Sequence, residues 1–565
     1  MDITLEKLNF LSAEGAKQRN IFANLSGKRT KSRFKIILYL YGGLRFLQSV
    51  ILFFKEEKEM LETITSINKV LNNFIWGPVG LVLLIGTGIL LTCATKFFQV
   101  SHIKHWWLNT IGTLFKKDSA SLNKLDKKAI TQFQSLCTAL AATVGTGNIA
   151  GVAEAIVIGG PGAVFWMWVA AFFGMMTNFS ENVLGIYFRR KNEKGEWSGG
   201  AMYYLRDGLG KKKGCKTIAN ILAVLFTIFA ILASFGIGNM GQVNKITLNI
   251  KSAFFKNANL GTILGFDSVG VIIGIVLVIL GALIILGGLQ RIAAVAEKVV
   301  PFMACAYIIA ALGIMIYNIG DLGAMFGSIF KFAFTPRAVG GGIVGTVVKA
   351  MTQGFKRGVF SNEAGLGSSV MVHCSSDVRE PVRQGMWGIF EVFFDTMIVC
   401  TMTAIVVLSS GYIDLATGVA AAGVDDSTLV SKVFGNVFGA PGEWFIAIAM
   451  LLFAFTTVLG WSQYGSKAVE YLFGTKGVKV YKVIFVLMIV SGAVMTSSLA
   501  WDISDTFNGF MMVPNLIGVV ALFPLVVKIV RNYVDRRIKG KTDVTPILSY
   551  DEKIGAEMLA NIDKD

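Results

Sequence analysis

Two runs of small and polar residues interrupt otherwise apolar sequence, and both carry groups able to do chemistry. Residues 139–151 read Ala-Leu-Ala-Ala-Thr-Val-Gly-Thr-Gly-Asn-Ile-Ala-Gly, and residues 354–369 read Gly-Phe-Lys-Arg-Gly-Val-Phe-Ser-Asn-Glu-Ala-Gly-Leu-Gly-Ser-Ser. Each interior glycine costs a helix about 1 kcal/mol relative to alanine, so both runs are expected to be broken helices. Unwound backbone at membrane depth survives only where it is covered by protein or lines a wet cavity. There, freed carbonyls can coordinate a cation, and half-helix N-termini can hold a carboxylate. Glu363, inside the second run, would cost about 2.5–3.5 kcal/mol if charged at the bilayer centre. It should therefore be paired, protonated or facing water, with a ligand ammonium and Arg357 as candidate partners. Glu391 and Asp395, one helical turn apart, suit either a proton relay or an interhelical network. Glu154 receives no role.

Other chemistries fit poorly. Gly145-Thr-Gly-Asn-Ile-Ala150 matches a dinucleotide-binding fingerprint in letters, but that fingerprint needs a preceding strand and a downstream acid, and a membrane-length apolar run surrounds it here. The three histidines and six scattered cysteines form no metal or disulfide pattern. No catalytic dyad stands out, so the chain does not read as an enzyme, and no organic cofactor is implied. A channel would need rings of carbonyls or charges, whereas these two runs are asymmetric within one chain.

The elements that must position these runs are membrane helices. Of 565 residues 54% are hydrophobic and only 16% charged, too few charges to coat several soluble domains. The net charge of +17 sits in clusters between apolar runs, which fits cytoplasmic loops beside a lipid bilayer and not nucleic-acid binding. Membrane-length stretches are expected near 75–95, 133–157, 161–187, 217–240, 267–288, 295–317, 341–372, 385–411, 442–466, 480–499 and 508–530. Basic segments 96–132, 188–216 and the end of the chain place the C-terminus inside, with loops 241–266 and 318–340 outside despite their lysines. The two broken runs open two successive sets of five spans. An odd-numbered repeat must be inverted, and glycine-interrupted segments at matching places in two halves mark a transporter's binding site. The span at 75–95 then precedes a five-plus-five core. The expected organisation is an N-terminal extension (1–59), a membrane domain (60–535) and a cytoplasmic tail (536–565). Residues 34–54 read as an extra membrane-associated helix or a dispensable segment, and a third reading starts the protein at Met60.

Gly159-Gly-Pro-Gly-Ala-Val-Phe-Trp-Met-Trp-Val-Ala-Ala-Phe-Phe-Gly174 closely resembles the signature of the alanine or glycine:cation symporter family, the sodium:alanine symporters of prokaryotes. Similar agreement covers Thr138–Gly151, Phe355–Ser369 and Gly460–Gly465, and the likeness spans roughly residues 60–535. It implies an all-α polytopic protein of the bacterial or archaeal cell membrane, with an inverted-repeat core like that of the neurotransmitter:sodium symporters plus one N-terminal helix. It also implies alternating-access cotransport of Na⁺ with a small neutral amino acid such as alanine or glycine; proton coupling is the alternative. Where the family commonly has GGPMYY, this chain has Gly199-Gly-Ala-Met-Tyr-Tyr204. Ala201 is expected in a cytoplasmic loop, away from the site.

By the same resemblance, the amides of Thr146 and Gly147 would receive the substrate carboxylate. The carbonyls of Ala141 and Val144, with the hydroxyls of Thr456 and Thr457, would hold Na⁺. Uncharged hard oxygens suit a monovalent ion, although adjacent helical threonines can instead bond back to their own i−4 carbonyls. Asn148 would bridge the broken helices, touch a second cation or cap a half-helix. Phe360 would close over substrate, with Ser361, Asn362 and Glu363 as polar contacts, and Gln242 and Trp461 would line the site. Ordinary packing is the competing role for Phe360, Gln242 and Trp461.

Overall fold

The computed structural model describes residues 58–116, 122, 124–256, 260–335, 343–495 and 497–562. The expectations for residues 1–57 lie outside them. The chain divides into two units, residues 1–67 and 68–565. Among the described residues the first contributes only the start of helix Lys58–Ile75; the membrane helices and the site belong to the second.

Among its described residues the second unit is mostly helical, with two short hairpin ribbons and two isolated β-bridges in the connections. The described residues of each of the eleven expected stretches fall mostly on helix. Among the described residues eight helices are long and apolar enough to cross a membrane, nine if the bent pair Gln132–Thr143 and Gly147–Gly159 is counted as one span. The 55-residue helix Ala440–Val494 kinks at Gly474, whose φ of 66° no continuous helix has, and so carries two expected spans. Helix Ile343–Asn362, which holds Lys349, Lys356 and Arg357, is resumed after a break by Val370–His373.

The two broken spans pack against each other and against the helices next in sequence, Gly162–Phe188 and Pro381–Leu408, and these four make a central bundle. Helix Lys216–Phe254, helix Ser268–Ile285 and the long Ala440–Val494 pack together beside it. The corresponding positions of the two breaks, each opening a set of five spans, give the five-plus-five order expected, with helix Pro78–Ala94 in front. Local signals set the ends. Thr131 and Gln134 form a reciprocal capping box (3.0 and 3.1 Å) at the start of the first broken span, and Pro381 opens its helix at a position where no amide partner is needed.

Two expectations need correction. The stretch expected to end near residue 240 continues through a π-helical turn, Gly236–Met240, into helix Gly241–Phe254. Its lysines and asparagines hide the helix from an apolarity count, yet Lys245 is buried and donates to Ser427 Oγ at 2.6 Å. Ala201 is fully buried, and a Cβ on Gly367 would lie 3.1 Å from its methyl, so it borders the second broken span and not solvent.

The bundle depends on close helix approach. A Cβ on Gly460 would lie 2.9 Å from the Ala142 backbone, whereas one on Gly86 would meet nothing within 4 Å. Gly460→Val should therefore lower stability by about 1–3 kcal/mol through overpacking, and Gly86→Val should change it by less than about 0.5 kcal/mol. Thermal unfolding of the two purified variants checks the contrast.

Candidate functional site

The first break is narrower than its sequence suggests. Helix Gln132–Thr143 ends at Val144 (φ −78°, ψ 87°), a π-helical turn covers Gly147–Gly151, and the axis bends by 54°. The backbone donors here are redirected. In a continuous helix the Gly145 amide would bond the Ala141 carbonyl, but it donates to Asn148 Oδ1 at 2.9 Å. The Thr146 amide, which would serve Ala142, donates to Gln242 Oε1 at 3.1 Å. The Asn148 amide, which would serve Val144, donates to the Gly145 carbonyl at 3.3 Å. Three ladder donors thus turn away from the carbonyls of Ala141, Ala142 and Val144.

The second break begins later than its glycines suggest. The helix runs through Gly354 and Gly358 to Asn362, and unwinds only at Glu363, Gly365 and Gly367, with φ of 56°, 93° and 69°. A positive φ is ordinary for glycine and strained for Glu363. The Glu363 carboxylate is buried; it accepts from Trp461 Nε1 at 2.8 Å and from Ser368 Oγ at 2.5 Å. The breaks approach closely: a Cβ on Gly147 would lie 3.2 Å from both Phe360 Cδ1 and Ser361 Cα.

One carboxylate joins them. Asp395 accepts from Asn148 Nδ2 (2.6 Å) in the first broken span and from Ser361 Oγ (2.8 Å) in the second, and also from Thr396 Oγ1 (2.8 Å). Asn362 Nδ2 donates to Thr396 Oγ1 at 2.9 Å, and Cys400 Sγ lies 3.4 and 3.3 Å from Asn148 and Ser361. Asp395 lies within a third π-helical stretch, Phe393–Cys400. Asn148 therefore reaches the second broken span through Asp395 and not directly. The acidic pair at 391 and 395 is visible in sequence, but its division between two networks is not. Glu391 faces a different network, with His373 Nε2 at 2.9 Å and Asn178 Nδ2 at 3.3 Å.

Of the remaining candidates, Gln242 and Thr457 meet the first break and Trp461 the second, whereas Thr456 faces Met303, 3.6 Å from its sulfur. Gln242 is held by its own Nε2, which donates to the Ile237 carbonyl at 3.0 Å. Trp461 is fully buried and stacks edge-on with Tyr464, at 5.2 Å between centroids. Thr457 Oγ1 bonds the Phe453 carbonyl at 3.0 Å and abuts Gly145 closely enough that no side chain fits there. Thr456 Oγ1 bonds the carbonyls of Leu452 and Phe453, both at 2.9 Å. Both threonines thus make the back-bonds that such pairs favour, and each oxygen keeps acceptor capacity. Arg357 does not pair with Glu363. It bonds Glu154 and Asp505 (3.0 Å), Lys356 adds a 2.6 Å ion pair to Asp505, and the Phe360 ring lies 5.4 Å from the guanidinium. Glu154, to which the sequence assigns no role, thereby joins an ionic cluster at the far end of the first broken span.

Because every contact to the Asp395 carboxylate is a donor, Asp395→Asn sets an amide N–H₂ either against Asn148 Nδ2, which cannot accept, or against the Ser361 and Thr396 hydroxyls, which must give up donating to it. It should cost about 1–3 kcal/mol of stability. Asp535→Asn, which loses only ion pairs to the exposed Lys539 and Lys541, should stay within about 1 kcal/mol of the parent. Denaturation midpoints of the two variants test this.

Comparison with known proteins agrees with the sequence resemblance. Residues 61–546 match the model of the "Sodium:alanine symporter family". The sodium/alanine symporter AgcS of Methanococcus maripaludis is 43% identical over 83% of this chain and 96% of its own length. A Bacillus subtilis protein named "Probable sodium/glutamine symporter GlnT" is 34% identical over 86% of this chain and 94% of its own. The crystal structure of MhsT in complex with L-phenylalanine aligns at TM-score 0.48 and 14% identity, over 72% of this chain and 99% of that one. A family match across most of the residues, with a close relative along nearly its full length, makes the assignment plain: this chain is a multi-pass membrane transporter that belongs to the sodium:alanine symporter family.

Proposed function

We propose that the protein couples inward movement of Na⁺ to uptake of a small neutral amino acid, alanine or glycine, by alternating access across the cell membrane with its C-terminus in the cytoplasm. Residues 60–535 form the transporting domain in this reading, residues 1–59 a separate N-terminal segment and 536–565 a cytoplasmic tail.

The observation that carries the proposal is the redirection of three ladder donors at the first break. It leaves carbonyls of Ala141 and Val144 open to a cation beside Gly145, where Thr457 Oγ1 abuts; in this reading Thr456, the residue before it, turns from Met303 to complete the set of neutral oxygens. Na⁺ is the coupled ion that such a set suits. The substrate carboxylate is received by the amides of Thr146 and Gly147. Gln242 Oε1 already accepts from the Thr146 amide, so it holds the place of a carboxylate oxygen and must give way when substrate enters. Glu363 faces the substrate ammonium, Phe360 and Trp461 bound its side chain, and Ser361, Asn362 and Asn148 tie the cradle to Asp395. Excess side-chain volume against Trp461 is costly in a packed pocket, which favours the smallest amino acids. The buried carboxylates Glu363 and Asp395 are the features that favour coupling to protons instead.

Proteoliposomes decide between the ions. Labelled alanine should accumulate under an imposed Na⁺ gradient without a proton gradient. Accumulation driven by protons alone, with none on sodium, would reverse the assignment. Thr457→Ala should raise the Na⁺ concentration for half-maximal uptake by at least about tenfold, the loss of a ligand worth about 1.4 kcal/mol, while membrane expression stays near normal. Unchanged sodium activation would remove Thr457 from the ion site.

A further inference from the structure

A cavity of about 430 Å³ opens among the hairpin Arg190–Lys191/Trp197–Ser198, the start of helix Leu289–Tyr317, and both arms of the kinked helix Ala440–Val494. Nothing in the transport reading uses it. Five lysines line it, Lys128, Lys194, Lys467, Lys479 and Lys482, against two glutamates. Both glutamates are already engaged: Asn192 Nδ2 donates to Glu196 (3.3 Å) and Glu470 (3.0 Å), and Lys467 pairs with Glu470 at 3.3 Å. Lys128 donates to the Lys194 carbonyl, and Lys467 to the Trp197 carbonyl at 2.7 Å. The ammonium groups of Lys194, Lys479 and Lys482 have no hydrogen-bond or ion-pair partner among the described residues.

Lysines at the cytoplasmic face of a membrane protein are common and need no ligand. The buried polar atoms are less easily dismissed. Trp197 Nε1, Ser375 Oγ and Gln463 Nε2 belong to side chains at least 94% buried that border this cavity; each atom is closed off from solvent, lacks a hydrogen-bond partner among the described residues, and meets a ligand there only when its side chain turns. A buried donor left unmade costs about 1–3 kcal/mol, and three of them around one cavity are unusual in a native interior. The indole and amide nitrogens can only donate and the hydroxyl can donate, so the missing partner is an acceptor. Arg189 packs 3.9 Å over the Trp197 ring and fixes its plane.

We propose that this cavity is a binding site for a phosphate group, either free in the cytoplasm or borne by an acidic phospholipid. The excess of positive charge favours an anion over a departing zwitterionic amino acid, whose ammonium would meet five lysines and two glutamates that are already engaged. A phosphate offers several acceptor oxygens and net negative charge to donors that are otherwise idle. Basic pockets between membrane helices at the cytoplasmic side recognise such headgroups, and the exposed apolar residues Leu286 and Val483 at the rim leave room for an acyl chain.

The test uses the full-length purified protein and its Lys479→Gln/Lys482→Gln variant, with unfolding midpoint as the readout. Three probes are titrated: inorganic phosphate, chloride at matched ionic strength, and phosphatidylglycerol in mixed micelles against phosphatidylcholine. Phosphate or phosphatidylglycerol should raise the midpoint by a few degrees, chloride and phosphatidylcholine should not, and the double variant should need at least about tenfold more ligand for the same rise. A response to inorganic phosphate assigns the free anion as a ligand. A response to phosphatidylglycerol alone assigns the lipid headgroup. No shift with either probe, or an equal shift in the double variant, overturns the site.

Discussion

The site is organised around a single buried carboxylate. Asp395 sits on neither broken span, yet it accepts hydrogen bonds from both, from Asn148 on one side and Ser361 on the other. A carboxylate far from water is tolerated only where donors replace its hydration. Here two donors come from the broken spans, Asn148 from the π-helical turn of the first and Ser361 from the last helical turn before the second unwinds, and Thr396 supplies the third. The π-helical stretch Phe393–Cys400 aims that carboxylate between the breaks, in keeping with the tendency of such bulges to occur at functional positions. Two other bulges adjoin the same junction: Gly147–Gly151 carries Asn148, and Gly236–Met240 immediately precedes Gln242.

Much of this is legible in the sequence, and the reason is physical. Lipid-facing spans announce themselves by continuous apolarity, and glycine with threonine and asparagine inside such a span contradicts a regular helix strongly enough to place both breaks. Their exact limits are not legible. Gly354 and Gly358 look like breakers but stay helical because they let helices approach: a Cβ at Gly358 would already lie 3.4 Å from that of Ala170, and the space at Gly354 is taken by the Ala163 carbonyl. Conversely, Glu363 adopts a left-handed conformation that its residue type disfavours, held by local bonds of its amide, its carbonyl and Ser368 and by one contact from across the bundle, Trp461.

The departures from expectation have a common source. Helix Gly241–Phe254 reads as a loop because its polar side chains look solvated, whereas Gln242, Asn244, Lys245 and Asn249 are buried against protein. Ala201 reads as part of a solvent loop for the same reason, by its position between charged runs. Hydropathy reports contact with lipid and is blind to polar residues buried inside a bundle. The functional centre of a transporter is made of such residues, so it is the part that a sequence reading underestimates. Arg357 shows the complement: Glu363 is near it in sequence, but its partners Glu154 and Asp505 lie across the bundle.

The two ends of the bundle are fastened differently, and on the proposed function that difference carries the mechanism. At one end Arg357, Lys356, Glu154 and Asp505 join both broken spans to the last long helix through side-chain ion pairs. At the other, backbone does the joining: the Ile130 amide donates to the Ser375 carbonyl at 3.1 Å, the Asp377 amide donates to the Ile130 carbonyl at 2.8 Å, and Arg189 grips the carbonyls of Cys374, Ser376 and Val378. Opening either end sacrifices a handful of interactions worth about 1 kcal/mol each, more for charged ones. Reversing a hundredfold preference between two states takes about 5.5 kcal/mol of differential affinity, which is of the same size. Ion and substrate can therefore supply it only by binding one arrangement of the breaks better than the other. The carboxylate between the breaks is the point at which that difference is felt, because any rotation of one broken span against the other must stretch a hydrogen bond to Asp395.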